Sequence, residues 1–160
     1  MTEPTEAVSA VERRLAELGI KLPGVAAPVA AYVPAVVTGN YVYTSGQLPF
    51  VNGVLPTAGK VGTEVSAEEA AACAETCAVN ALAAIKAQIG DLDRVSRIVK
   101  VVGFVASDPS FTGQPAVING ASELLGKVFG EAGIHARSAV GVAVLPLNSP
   151  VEVEVIAEFA

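Results

Sequence analysis

From Val151 the chain reads Val-Glu-Val-Glu-Val, and no other segment restricts the fold as tightly. Strict alternation puts Val151, Val153 and Val155 on one face of a strand and Glu152 and Glu154 on the other. A strand divided in this way belongs to a sheet with one face packed dry against other elements. The apolar run before it, Ser138 to Leu145, reads as a second strand, joined to the first around Pro146-Leu147-Asn148-Ser149-Pro150. Arg137 stands at the head of that run, and no other charged side chain follows until Glu152. A cation beside apolar sheet costs desolvation unless something pairs with it. The guanidinium fork matches a carboxylate bidentately, so the partner is either an internal glutamate or an anionic ligand. These residues alone leave both open.

The remaining elements follow from periodicity and stop signals. Residues 7–18 show helical spacing at Val8, Val11, Leu15 and Leu18, ended by Gly19, and a Pro/Ala-rich connector runs on to about Ala31. Two short β-branched and aromatic runs, VPAVVTG and NYVYTSG, flank Gly39-Asn40 as a hairpin. Asn52-Gly53 signals a tight turn within a loop-like stretch over 46–63. Ser66 with Glu69 has the form of a capping box opening a long helix to about Ile89. Its stripe of Ala70, Cys73, Cys77, Ala81 and Ala84 is small enough to sit close on a sheet. Val95 to Val105 reads as a central strand, and a second long helix spans about 115–130 with Pro115 in its first turn. The order is a helix followed by β-β-α-β-α-β-β. Strands and helices do not alternate one for one, so the expectation is α+β, a mixed sheet with both long helices on one face.

The chain is a single domain by length, residues 1–160, with 1–22 as an N-terminal helical extension. Only 16% of residues are charged, and none lies between Lys21 and Lys60. Neutral stretches of that length predict that other subunits cover part of the surface. Pro23, Pro28, Pro34, Pro49 and Pro56 interrupt the longest of them, which excludes it as a membrane-spanning helix. The N-terminus carries acids and no apolar core, unlike a signal peptide. A net charge of −6 opposes binding to nucleic acid, where a basic surface must release counterions. Cys73 and Cys77 are four apart rather than in CxxC, and His135 is the sole histidine, so the expectation is buried thiols in a reducing cytoplasm and no metal.

Motifs for nucleotides and hydrolases are missing. The stretch Gly53 to Lys60 is one residue too long for a phosphate loop, Pro56 removes a backbone donor, and Val61 stands where a hydroxyl is needed. Ser45 has no base beside it in sequence to activate it as a nucleophile. Gly46 would let a ligand approach the backbone closely. His135 reads as a rim or packing residue outside the site.

In order and spacing, these pieces resemble the RidA family, also called YjgF/YER057c/UK114. The likeness runs from about Ala27 to Phe159. It rests on Tyr32, Thr44-Ser45-Gly46-Gln47-Leu48-Pro49, Asn80, Gly103-Phe104-Val105 and Asn119. Its strongest parts are Ala136-Arg137-Ser138, Leu145-Pro146 and Val151 to Ala157. The resemblance implies a chorismate-mutase-like α+β fold and a homotrimer with clefts between subunits. It also implies cofactor-free hydrolysis of reactive 2-imino and enamine acids, of the 2-aminoacrylate type, to 2-oxo acids and ammonia. Arg137 would then hold the substrate carboxylate, and Glu152 would position or deprotonate a water. Ser45 and Tyr32 would hydrogen-bond around the reacting nitrogen, Gly46 and Ala139 would offer backbone groups, and Asn119 would join the binding residues. Two departures stand out: Ala139 replaces a cysteine of the archetypal members, and the N-terminal helix is extra. They leave a second expectation, a trimer that binds a small carboxylate metabolite or a partner enzyme without turnover.

Overall fold

The computed structural model describes residues 8–25 and 31–160. The start of the expected first helix at Ala7, and the connector over 26–30 that includes Ala27 and Pro28, lie outside the described residues.

The chain order is α1 (Ala10–Glu17), β1 (Ala35–Thr38), β2 (Tyr41–Thr44), α2 (Ala67–Ile89), β3 (Val95–Ala106), α3 (Gln114–Phe129), β4 (Ala136–Val142) and β5 (Val151–Phe159). The five strands form one sheet in the order β1-β2-β5-β3-β4. Only β3 and β4 run parallel; the other neighbours are antiparallel. The fold is therefore the expected mixed α+β arrangement. Gly39 and Asn40 form the two-residue turn between β1 and β2, with Gly39 at φ 56°.

The alternation in β5 sorts the sheet faces. Val151, Val153, Val155 and Ala157 are buried beneath the helices, together with Val42, Ile98, Val101 and Val105. Glu152 and Glu154 point to the face without helices. The two long helices pack against one another and against this sheet. Ser66 caps α2 by accepting from the Glu69 N–H at 3.1 Å. Close packing has one strict requirement: a Cβ at Gly120 of α3 would collide with the backbone oxygen of Ala71 in α2. Of the described helices, α2 alone is long and apolar enough by composition to cross a membrane, and its apolar residues here form the core. Cys73 and Cys77 are free and buried in it. Burial raises the Cys73 thiol pKa and, aided by the nearby Cys73 and Glu152, raises that of Cys77 well above the ordinary value.

Three expectations about boundaries need correction. β4 begins at Ala136 and ends at Val142, rather than spanning Ser138 to Leu145, because its parallel pairing runs from Lys100 opposite Ala136 to Ala106 opposite Val142. α1 begins at Ala10, so Val8 lies outside it and is exposed, and Leu18 is an exposed C-cap; only Val11 and Leu15 are buried. Ser45-Gly46 is not the end of strand pairing. Tyr43 lies opposite Ile156 and Gln47 opposite Val153, so one strand advances four residues while its partner advances three. The extra residue makes a bulge, where Thr44 Oγ1 accepts from the Val155 N–H at 3.0 Å in place of a backbone carbonyl.

Candidate functional site

The bulge turns Ser45 and Gly46 out of the ladder and places them beside two other expected residues. Ser45 Oγ donates to the Val33 carbonyl at 2.6 Å, which ties the segment carrying the exposed Tyr32 to the bulge. The hydroxyl hydrogen is thereby committed, so Ser45 faces a ligand as an acceptor. Gly46 is obligatory for a different reason: a Cβ there would overlap Glu152 Oε1 and the rest of that carboxyl arm. The Glu152 carboxyl thus lies against the backbone of the bulge. Partial burial, and secondarily the like charge of Glu154, raise its pKa above the ordinary glutamate value. Asn80 of α2 holds the following loop by donating to the Leu48 and Phe50 carbonyls at 3.0 and 3.1 Å.

Arg137 lies elsewhere. It pairs with Val101 across the β3–β4 ladder, and like Val101 its side chain faces the helices. Because β4 is an edge strand, the guanidinium reaches the flank of α3. Nη1 donates to Asn119 Oδ1 at 2.8 Å and to Ser122 Oγ at 3.1 Å, and Nη2 reaches the Pro115 carbonyl at 3.4 Å. All three acceptors are neutral. The ion pair found among the described residues joins Lys86 to Glu12, not Arg137 to an acid. Asn119 therefore braces Arg137 rather than standing free in the site. Ala139 shares the face of Arg137, two residues along β4, and packs on the core edge.

Sequence reasoning passed over Ser122 and set His135 outside the site as a rim or packing residue. Ser122 Oγ and His135 Nε2 are 2.9 Å apart, and His135 Nδ1 is 2.6 Å from the Gly133 carbonyl oxygen. Both residues line a surface groove of about 320 Å³ with Gly126, Gly133, Ile134 and Arg137. The signal for Ser122 was its i+3 spacing from Asn119 on one helix face.

The seven expected site residues thus form two groups. Tyr32, Ser45, Gly46 and Glu152 gather at the bulge, whereas Arg137, Asn119 and Ala139 gather at the β4 edge. Glu152 pairs with Phe104 and Arg137 with Val101, on opposite faces of the sheet. They are two strands apart, roughly 10 Å across, and about 10 Å offset along the strands. One copy of the chain does not bring them together.

Residues 12–159 match the family described as "YjgF/chorismate_mutase-like, putative endoribonuclease". This chain belongs to the YjgF family. Protein TCP17 of Trypanosoma cruzi is 48% identical over 151 residues, covering 92% of this chain and 93% of that protein. The crystal structure of Atu1372 from Agrobacterium tumefaciens, a protein described as of unknown function, superposes with a TM-score of 0.88 at 49% identity, covering 94% of this chain and 93% of that one. An endoribonuclease-named structure from Shewanella oneidensis gives 0.89 at 36% identity, covering 93% and 99%. The Escherichia coli YjgF structure gives 0.58 at 30% identity, covering 82% and 90%. The five-stranded sheet with its helices is thus the chorismate-mutase-like YjgF fold. Members of the YjgF family carry names such as endoribonuclease and translation initiation inhibitor.

Proposed function

We propose that this chain hydrolyses reactive 2-imino acids to 2-oxo acids and ammonia, at clefts that two copies build together within a homotrimer. The observation that carries the reading is the state of Arg137. Its charge is held in place by three neutral acceptors, with no carboxylate beside it among the described residues, so a planar anion completes the site. The substrate carboxylate takes the guanidinium of one copy. Glu152 of the next copy, whose pKa is raised, takes a proton from water as that water adds to the imine carbon. Glu152 returns that proton to the nitrogen to give a neutral carbinolamine, then takes the carbinolamine hydroxyl proton and passes it to the nitrogen as the C–N bond breaks, so ammonia leaves and a 2-oxo acid remains. The imine carbon is already electrophilic, so positioning does most of the work and no cofactor is required.

Two structural features support a shared cleft. The expected site residues fall on opposite faces of one copy. The helix-free sheet face also displays Val36, Tyr43 and Val140 at 52%, 45% and 45% exposure, an apolar surface suited to another subunit. The endoribonuclease names of relatives sit poorly with a net charge of −6. Ala139 favours the second reading, carboxylate binding without turnover, to the extent that a thiol is needed.

One assay separates these readings: release of ammonia and 2-oxo acid from freshly generated 2-iminopropanoate and bulkier imino acids. Acceleration over buffer is expected. Arg137→Ala should lower kcat/KM about a hundredfold, as expected for losing hydrogen bonds to a charged group. Saturable 2-oxo acid binding with no acceleration across the panel would favour the binding-only reading.

A further inference from the structure

We infer that Ser122 and His135 are positioning residues for Arg137, forming a relay that turns one edge of its guanidinium outward. The inference rests on the anion-binding reading of Arg137 and adds two residues to it.

With a neutral imidazole the geometry permits one proton arrangement. A carbonyl only accepts, so the 2.6 Å contact to Gly133 places a hydrogen on His135 Nδ1. A guanidinium only donates, so Ser122 Oγ accepts from Arg137 Nη1 at 3.1 Å. The single serine hydrogen then goes to His135 Nε2 at 2.9 Å, which makes that nitrogen an acceptor. A doubly protonated ring would direct a second cation at Ser122 Oγ and leave the serine hydrogen without its acceptor.

This relay sets which part of Arg137 is free. Asn119 and Ser122, three apart on α3, take Nη1, and the Pro115 carbonyl takes one Nη2 hydrogen. Nε–H and the second Nη2–H have no partner among the described residues. These two donors form a parallel pair that a carboxylate can accept side-on. Without Ser122, Nη1 keeps one contact, and the long side chain can rotate about its remaining tether. Fixing it beforehand removes an ordering cost from ligand binding. His135 never touches the ligand in this arrangement; it acts by holding the Ser122 hydroxyl.

His135 is the sole histidine, so ring ¹⁵N signals of the full-length protein belong to one residue. At a pH where imidazole is neutral, about 8, the spectrum should show the Nδ1–H tautomer, with an Nε2 signal that moves in Ser122→Ala. Pyruvate, a simple 2-oxo acid, should bind about tenfold more weakly to Ser122→Ala and His135→Leu, through lost preorganisation. His135→Gln, whose amide can make both contacts, should recover most of that affinity. With an imino acid the same variants should raise KM and leave kcat near wild type. An Nε2–H tautomer, or pyruvate affinity unchanged in folded Ser122→Ala and His135→Leu, would overturn the relay. Relay-dependent pyruvate binding without imine turnover would overturn deamination and leave the relay standing. A wild-type protein that does not bind pyruvate would overturn both.

Discussion

Glu152 is held in a position where two neighbours decide its chemistry. Burial at the bulge is the larger cause of its raised pKa and Glu154 the smaller. A general base works as the carboxylate, so activity should fall as pH drops through that raised value. The acid limb of kcat is expected above 4.5, the ordinary glutamate value. Glu154→Gln removes the repelling charge, so the limb should move to lower pH without disappearing, because the burial contribution remains. A kcat–pH profile of the two proteins checks this, and an unmoved limb would remove Glu152 as the titrating base. Gly46→Ala tests the same carboxyl from the other side. Its new Cβ would occupy the space of Glu152 Oε1, so kcat should fall about tenfold to a hundredfold through misplacement of the base. Near-native circular dichroism is expected, since Gly46 lies in a bulge outside the core.

At the level of elements, the N-terminal helix α1 is fastened by charge and capping as well as by the buried Val11 and Leu15. The Asp93 carboxylate accepts from Ser9 Oγ at 2.8 Å and from the Ala10 and Val11 N–H groups at 2.9 and 2.8 Å. Arg14 donates to the Val128 carbonyl at the end of α3, and Glu12 pairs with Lys86 near the end of α2. The helix therefore sits on the C-terminal ends of the two long helices. The Val11 N–H bond, followed by that from Ser9, lowers the Asp93 pKa below 3.8. A depressed carboxylate stabilises the fold above its unfolded value and loses that contribution as pH falls through the folded value. Asp93→Asn should accordingly lower stability at neutral pH by only a fraction of about 1 kcal/mol, because the carboxylate is exposed and screened by solvent. The gap to wild type in denaturant melts should close below pH 3.8. Element order and the dry face of β5 were legible in sequence, because periods of 2 and 3.6 are written into local spacing. Leu18 and Val8 were misread because periodicity does not say where a short helix stops finding a partner. The bulge was invisible because its register depends on β5, more than 100 residues away. Ser122 was missed for a related reason: its partners sit on β4 and the segment before it, and only tertiary structure brings them to α3.

Across the whole molecule, the division of the expected site residues is the central fact. Arg137 was identifiable from sequence as a cation awaiting a partner, but its separation from Glu152 was not, since that requires the β5-β3-β4 order. If clefts form between copies, each takes Arg137 from one chain and Glu152 from another. The decisive measurement mixes two disabled proteins. Arg137→Ala and Glu152→Gln chains, unfolded together in equal amounts and refolded, should assemble trimers in which about a quarter of the clefts combine an intact arginine with an intact glutamate. Each variant alone should be nearly inactive on 2-iminopropanoate, and the mixture should recover about a quarter of wild-type turnover. A co-refolded mixture shown to contain mixed trimers, yet no more active than either variant, would contradict the account.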